Sequence, residues 1–240
     1  MAGRVLSGDQ RLDKPGVRLP EDAPLEIRPG PQYVGRGGLK LAWALPAAGM
    51  AVRDKDALDV GASTGGFTEV LLENGARRVI ALDVGRGQLD WGLRNDPRVF
   101  PVEGVNARYL EPTALPFVPE LAVMDVSFIS VRLVLPAVMG SIRDDGELLA
   151  LIKPQFEVGR EQVGRGGIVR EPSLHREVLE MVVDFVRRSG WRPRNVLRCP
   201  VKGAEGNVEF FIHIARRAPE PGTEMIAERI AAALVEVPEP

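Results

Sequence analysis

From Asp54 onward, short apolar runs alternate with stretches of helical spacing. The runs Ala57–Val60, Arg78–Asp83, Arg98–Glu103, Leu121–Val126 and Leu148–Ile152 read as buried strands, short and bounded by Gly, Pro, Asp or Asn. Between them the apolar spacing predicts helices at Phe67–Glu73, near Leu89–Leu93, at Val131–Ser141 and at Ser173–Arg188. Ser173 serves the last as N-cap and Gly190 as its stop. Strand and helix in this order predict an α/β fold, a mostly parallel sheet with helices on both faces. Two more strands, Asn195–Val201 and Val208–Ile214, follow with no long helix between them, so an antiparallel hairpin at the sheet edge is expected. That makes seven strands. Upstream, the apolar residues from Leu39 to Met50 predict a helix that Pro46 kinks or restarts. Downstream, Ala227–Val235 predicts a terminal helix, and no internal repeat interrupts the series.

Residues 1–30 follow a different pattern. Val5-Leu6, a Ser7-Gly8-Asp9 turn, Lys14-Pro15-Gly16 and Leu25-Glu-Ile27 read as short strands joined by tight turns. Thirty residues with so few apolar side chains cannot bury a core of their own. Pro29-Gly30-Pro31 reads as a linker. The expected organisation is a small β-rich module over 1–30, a main domain over 31–217 and a C-terminal tail or helix over 218–240.

Composition narrows the classes. At 240 residues, 45% hydrophobic and 27% charged, the chain fits one sizeable α/β domain with a small appendage. No apolar run reaches the roughly 18 residues of a membrane span, and the N-terminus lacks the apolar core of a signal peptide. Cys199 is the single cysteine, which excludes an intrachain disulfide and a cysteine metal cluster and makes a reducing cytoplasm the expected location. His175 and His213 have no metal-like spacing with other ligands, so no metal is expected. With a net charge of −2, any nucleic-acid binding has to come from a local basic patch.

The chemistry centres on Ala57-Leu-Asp-Val-Gly-Ala-Ser-Thr-Gly-Gly-Phe67. A strand ends at Asp59-Val60, the glycines Gly61, Gly65 and Gly66 turn the chain, and Phe67 opens a helix. Such a crevice lets backbone N–H groups meet a ligand. A dinucleotide fingerprint needs Gly-x-Gly-x-x-Gly for close approach to a pyrophosphate, but Ser63 stands at the middle glycine. This disfavours a nicotinamide oxidoreductase. A strand-end carboxylate at Asp59 suits instead a ligand with a cationic amino-acid moiety, and S-adenosylmethionine is one. Asp83, ending the next strand, can accept ribose hydroxyls. An ordinary strand–turn–helix with a capping Ser or Thr is the plain alternative.

Asp125 and Lys153 end the fourth and fifth strands, where catalytic groups gather in open α/β sheets. Asp59, Asp83, Asp125 and Lys153 are therefore expected to ring one crevice, although a Lys–Asp neighbour is also commonly a plain ion pair. The following loop, Val158–Arg170, carries Arg160, Arg165 and Arg170 against Glu161, as a substrate clamp or as a solvated surface loop. Glu209, between Val208 and Phe210, reads either as an ordinary residue of the solvated face or, because its neighbours are bulky and apolar, as an inward carboxylate with a lysine partner.

Five segments together resemble a known family. They are Tyr33-Val-Gly-Arg-Gly-Gly-Leu-Lys40, Asp59–Phe67, Met124-Asp-Val-Ser-Phe-Ile-Ser130, Lys153-Pro-Gln-Phe-Glu-Val-Gly159 and Gly206-Asn-Val-Glu-Phe210. They resemble the TlyA-type, hemolysin A-like ribosomal RNA methyltransferases, relatives of the FtsJ-like RNA 2′-O-methyltransferases, over roughly residues 33–216. The resemblance implies a Rossmann-like class I methyltransferase fold, S-adenosylmethionine as donor and a ribose 2′-hydroxyl of ribosomal RNA, with cytidine the expected nucleotide, as acceptor. It also implies a catalytic tetrad of Lys40, Asp125, Lys153 and Glu209. Lys153 would accept the hydroxyl proton or stabilise the developing alkoxide, and the two carboxylates would aim the amine. Donor contacts are assigned to Asp59, Gly61, Ala62, Ser63, Thr64, Gly65, Gly66, Phe67, Asp83, Val84, Asn106 and Asp125, with Asn106 near the adenine. Phosphate contacts fall on Arg36, Arg160, Arg165 and Arg170, and on Arg11 and Lys14 in the N-terminal module. Residues 3–28 resemble the later, β-rich half of an S4-type RNA-binding module; the helical half is not in this sequence, as in a trimmed or late-started chain.

Two other classes stay in view. A membrane-active protein would need a lysine-rich amphipathic segment with a broad apolar face, and none is present. A ribosome-assembly factor that binds RNA without catalysis would have no need of the tetrad.

Overall fold

The chain divides between Gln32 and Tyr33 into two units in this computed structural model. The structure describes residues 5–8, 10–12, 14, 16–27, 31–217, 219 and 221–235. The smaller unit contains β1 (Val5–Ser7), β2 (Gln10–Arg11) and β3 (Leu25–Ile27), an antiparallel sheet with β1 in the middle. Short strands were expected there; the expected turn residues Asp9 and Pro15, the linker residues Pro29 and Gly30 and the Arg11 side chain lie outside the described residues.

The larger unit runs α1 (Gly37–Ala48), β4 (Asp56–Val60), α2 (Gly66–Glu73), β5 (Arg78–Asp83), α3 (Trp91–Arg94), β6 (Val99–Glu103) and β7 (Leu121–Met124). It continues with α4 (Val131–Ser141), β8 (Glu147–Ile152), α5 (Pro172–Arg188), β9 (Arg192–Arg198), β10 (Phe210–Ala215) and α6 (Thr223–Ala233). Seven strands form one sheet in the order β6-β5-β4-β7-β8-β10-β9, and only β10 runs against its neighbours. The chain leaves β4 towards one edge and returns to β7 on its other side. Strand order therefore reverses between β4 and β7, which opens a crevice at their C-terminal ends.

Alternation along the strands splits the core into two layers. Leu58 and Val60 of β4 pack in the cluster with α4, α5 and α6, while Ala57 packs with Leu41, Val70 and Leu71 of α1 and α2. The terminal helix is part of this core: Ile226 and Ile230 are buried in it.

Several boundaries differ from expectation for physical reasons. β9 starts at Arg192 and includes Pro193, which an edge strand tolerates because its outer N–H needs no partner. β10 starts at Phe210, after the left-handed Glu205 and Gly206, so Glu209 precedes the strand. Pro172 occupies the first position of α5 with its φ already suited to a helix; Ser173 lies inside, and Glu171 stands at the cap. α1 neither restarts nor stops at Pro46, which falls in its last turn just before the left-handed Gly49.

Candidate active site

The β4–α2 turn depends on Gly61. Its φ is 86°, and a Cβ there would stand 2.4 Å from the carbonyl oxygen of Asp125. The missing side chain lets the ends of β4 and β7 close up. Gly61 and Ala62 donate their N–H groups to the Leu82 carbonyl at 2.8 and 3.0 Å. Ser63, left-handed at φ 49°, then presents its N–H to Asp83 Oδ2 at 2.8 Å, and Gly85 donates to Oδ1 at 2.7 Å. The Asp83 carboxylate is thus fixed at the tip of β5 by two backbone donors.

A cavity of about 530 Å³ opens beside this turn, with Gly61, Ser63, Asp83, Val84, Asn106 and Asp125 in its wall. Gln88, which the sequence reading passed over, also lines it. A smaller cleft of about 180 Å³ meets Ala62, Thr64, Gly66, Phe67 and Arg36. Gly65 is the left-handed cap of α2 and is packed against Leu93 and Leu89, so it shapes the turn from behind.

Asp59 does not join this wall. It is completely buried on the side of the sheet that faces α2, where Thr68 Oγ1 donates to its Oδ2 at 2.7 Å. Its Oδ1 has no hydrogen-bond partner among the described residues. Burial, reinforced by the charges of Asp125 and Asp83 and opposed by the Thr68 bond, raises its pKa to about 7. The expected crevice therefore contains Asp83, Asp125 and Lys153, with Asp59 beneath it.

A second cavity, about 540 Å³, lies across Ser127 and Phe128, which line both. Lys40, Lys153 and Glu209 face into it. The four expected tetrad residues form two ion pairs. Lys153 Nζ lies 2.5 Å from Asp125 Oδ1 and donates to Ser127 Oγ at 2.8 Å. Lys40 Nζ donates to Glu209 Oε2 at 2.6 Å, both side chains buried. Burial raises the Glu209 pKa, and the positive charge of Lys40 opposes that rise. Lys40 reaches the site because α1 begins against the glycine turn: a Cβ on Gly66 would stand 2.8 Å from the Gly38 nitrogen. Gly35 and Gly37 leave room for this approach to Thr64 and Phe67, while Gly38 makes room for the Tyr33 ring.

Phe128 is the most telling residue the sequence reading left without a role. It is 91% exposed, has a left-handed backbone at φ 63°, and leans on Phe156 with ring centroids 5.2 Å apart. Its exposed ring and left-handed backbone make it a candidate ligand contact. Glu157 fixes this loop: its carboxylate accepts from Ser130 Oγ at 2.6 Å and from the Val131 N–H at 2.7 Å, capping α4. The available signal was the same for both: Phe128 lies in Met124–Ser130 and Glu157 in Lys153–Gly159, two of the segments that carry the family resemblance.

The basic residues sit around the second cavity in part. Arg36 lines it and donates to the Lys202 carbonyl at 3.0 Å. Arg160, Arg165 and Arg170 are exposed on the segment between β8 and α5, whose Gly166 and Gly167 form part of the cavity wall. Lys14 is exposed in the smaller unit. His175 and Cys199 are structural. The His175 Nε2–H donates to the Val169 carbonyl at 3.0 Å, and burial lowers its pKa. The buried Cys199 thiol is pushed up to about 11, too high to react at neutral pH.

Residues 33–216 match the FtsJ-like methyltransferase family, a span that covers the whole sheet. The chain belongs to that family. Among its relatives, the 16S/23S rRNA (cytidine-2′-O)-methyltransferase TlyA of Mycobacterium tuberculosis is 45% identical over 213 residues, covering 88% of this chain and 80% of that one. Hemolysin A of Brachyspira hyodysenteriae is 37% identical over 214 residues and 89% of each chain. The solved structure "Putative hemolysin from Streptococcus thermophilus" superposes with a TM-score of 0.80 at 44% identity, covering 97% of this chain and 86% of that one. This FtsJ-like methyltransferase thus has the Rossmann-like fold of its family, with β10 as the antiparallel strand near one edge. Among the described residues no helix is long and apolar enough to cross a membrane.

Proposed function

We propose that this protein transfers a methyl group from S-adenosylmethionine to a ribose 2′-hydroxyl of ribosomal RNA, as its mycobacterial relative's name describes, with cytidine the nucleotide expected. One observation carries the reading: the Lys153–Asp125 ion pair joins two cavities, Asp125 in the wall of one and Lys153 in the wall of the other. A group-transfer enzyme gains rate by holding donor and acceptor in adjoining sites that meet at the point of transfer.

The first cavity fits the donor. Its size is that of a cofactor site. Each Asp83 oxygen holds one backbone N–H and retains a lone pair for a ribose hydroxyl. Asp83 and Val84 would hold the ribose, Asn106 the adenine side, and Gly61 and Ser63 the methionine end. Bound there, S-adenosylmethionine supplies an electrophilic methyl group carried on a sulfonium.

The second cavity suits the acceptor. Lys153 would hold the 2′-oxygen and, with its amine in the neutral form, take the hydroxyl proton as the oxygen accepts the methyl group, with Asp125 and Ser127 fixing the direction of the amine. Lys40 and Glu209 neutralise each other and build the floor against which the ribose rests. Phe128 and Phe156 offer an aromatic surface for a base, and Arg36, Arg160, Arg165 and Arg170 offer charge to phosphates. A ribosomal substrate makes the cytoplasm the expected location. The reading as a membrane-active protein has a relative's name in its favour and no feature of the site.

The test is transfer of labelled methyl to unmodified ribosomal subunits. Lys153→Ala is expected to lower turnover by about 10²–10⁴-fold while donor affinity by calorimetry changes only a few-fold. Lys153→Arg separates the two roles. Loss of turnover with Arg points to proton transfer, and retention points to charge stabilisation alone. Full activity in Lys153→Ala would sink the assignment.

A further inference from the structure

The segment between β8 and α5 folds into a small hairpin whose attachment has no counterpart in the tetrad. Gly164 and Ile168 pair across it, with the Gly164 N–H donating to the Ile168 carbonyl at 3.0 Å and the Gly167 N–H to the Gly164 carbonyl at 3.1 Å. Arg165 and Gly166 occupy its corner, and Gly166 and Gly167 are both left-handed. Gly164, Arg165, Gly166 and Gly167 are all exposed, so the hairpin's tip gains little from apolar burial. Its position is set by polar contacts.

Those contacts converge on Asn207. The buried Asn207 amide accepts from the Val169 N–H at 3.2 Å and donates to the Gly167 carbonyl at 3.0 Å. Its own carbonyl accepts from the Gly203 N–H at 2.8 Å, which braces the turn leading to Glu209. One side chain thus satisfies both a donor and an acceptor of the hairpin, and it stands two residues from a member of the tetrad. Asn207, Gly166 and Gly167 all line the second cavity with Lys153 and Glu209. An amide suits this place because it offers a donor and an acceptor together and no charge beside Glu209.

We propose that Asn207 is a positioning residue for the acceptor: its amide pins the Gly164–Ile168 hairpin as a wall of the second cavity, which holds Arg165 at the rim for a phosphate next to the target ribose. This rests on the reading of the second cavity as the RNA site. Asn207 touches no reacting atom. It acts through the hairpin.

Asn207→Asp tests the pin, since the shape is kept and the carboxylate still accepts from Val169 but repels the Gly167 carbonyl. Hydrogen exchange needs no substrate: the Gly164, Gly167 and Val169 amides are expected to exchange at least about tenfold faster in the variant. Unmodified ribosomal subunits supply the second readout. Arg165→Ala is expected to weaken their binding by about five- to tenfold, as loss of one phosphate contact does. Asn207→Asp should weaken it comparably, with donor affinity within about twofold. In the Asn207→Asp background, Arg165→Ala should then add almost nothing, because the two changes remove one coupled element. Unchanged exchange in Asn207→Asp, or fully additive losses in the double variant, overturns the proposal. If the wild-type protein transfers no methyl to RNA, the functional reading falls, and the exchange result still decides whether Asn207 holds the hairpin.

Discussion

At the scale of single residues, Asp59 separates what a motif implies from what a fold does with it. A carboxylate at a strand end beside a glycine turn reads as a ligand contact. The strand's period of two decides otherwise: Leu58 and Val60 face one layer, so Asp59 turns to the other and meets Thr68. That alternation is visible in the sequence. The consequence is a pH dependence of stability. Asp59 is raised to about 7 in the folded chain, above its unfolded value, so the native state binds the extra proton between roughly pH 4 and 7. Its contribution is full below about pH 4 and is lost as pH rises through about 7. Asp59→Asn keeps the acceptor for Thr68 and removes the charge. Urea unfolding midpoints should therefore converge at low pH and favour the variant at pH 8, by an amount on the order of 2–4 kcal/mol. Parallel pH profiles for the two proteins would contradict this. Lys153 and Asp125 were legible for the opposite reason, as polar residues ending parallel strands at the sheet's functional edge. Glu209 was legible as an inward carboxylate with a lysine partner, but Lys40 lies on a helix and could be named as that partner only from the family resemblance.

Among the elements, the link between β8 and α4 governs the site more than either element does alone. Glu157 follows the turn after β8 and caps α4 through Ser130 and the Val131 N–H, so it sets where Ser127 and Phe128 stand relative to Lys153. Glu157→Ala leaves a buried donor unsatisfied and frees this loop. A loss of about 1–3 kcal/mol in urea unfolding is expected, together with a fall in methyl transfer larger than the fall in donor affinity. Equal losses in both would mean that Glu157 supports the fold alone. Element order was readable almost throughout, because a parallel sheet buried on both faces writes its strands as apolar runs. The largest boundary errors fall on β9, on β10 and on α6, which starts at Thr223 and not at Ala227. An edge strand may contain proline, and a left-handed turn delays pairing, so neither limit shows in hydrophobicity.

For the whole molecule, the formal charge of −2 means that attraction to RNA has to be local. The candidate charges are Arg36 in the wall of the second cavity and Arg160, Arg165 and Arg170 on the segment that carries the hairpin. If each neutralises one phosphate, binding of ribosomal subunits should weaken with salt at a log–log slope of about −3. A fourfold rise in salt then costs roughly 50-fold in affinity. Arg160→Ala, on an exposed side chain that supports no core contact, should leave stability unchanged and make the slope shallower by about 0.7. The measurement is affinity for unmodified subunits over a series of potassium chloride concentrations, with wild type and variant side by side. A slope near zero would place recognition in the aromatic surface of Phe128 and Phe156, where stacking carries little salt dependence. A steep slope that Arg160→Ala leaves untouched would move the phosphate track off the β8–α5 segment, and with it the case for a hairpin that grips the acceptor strand.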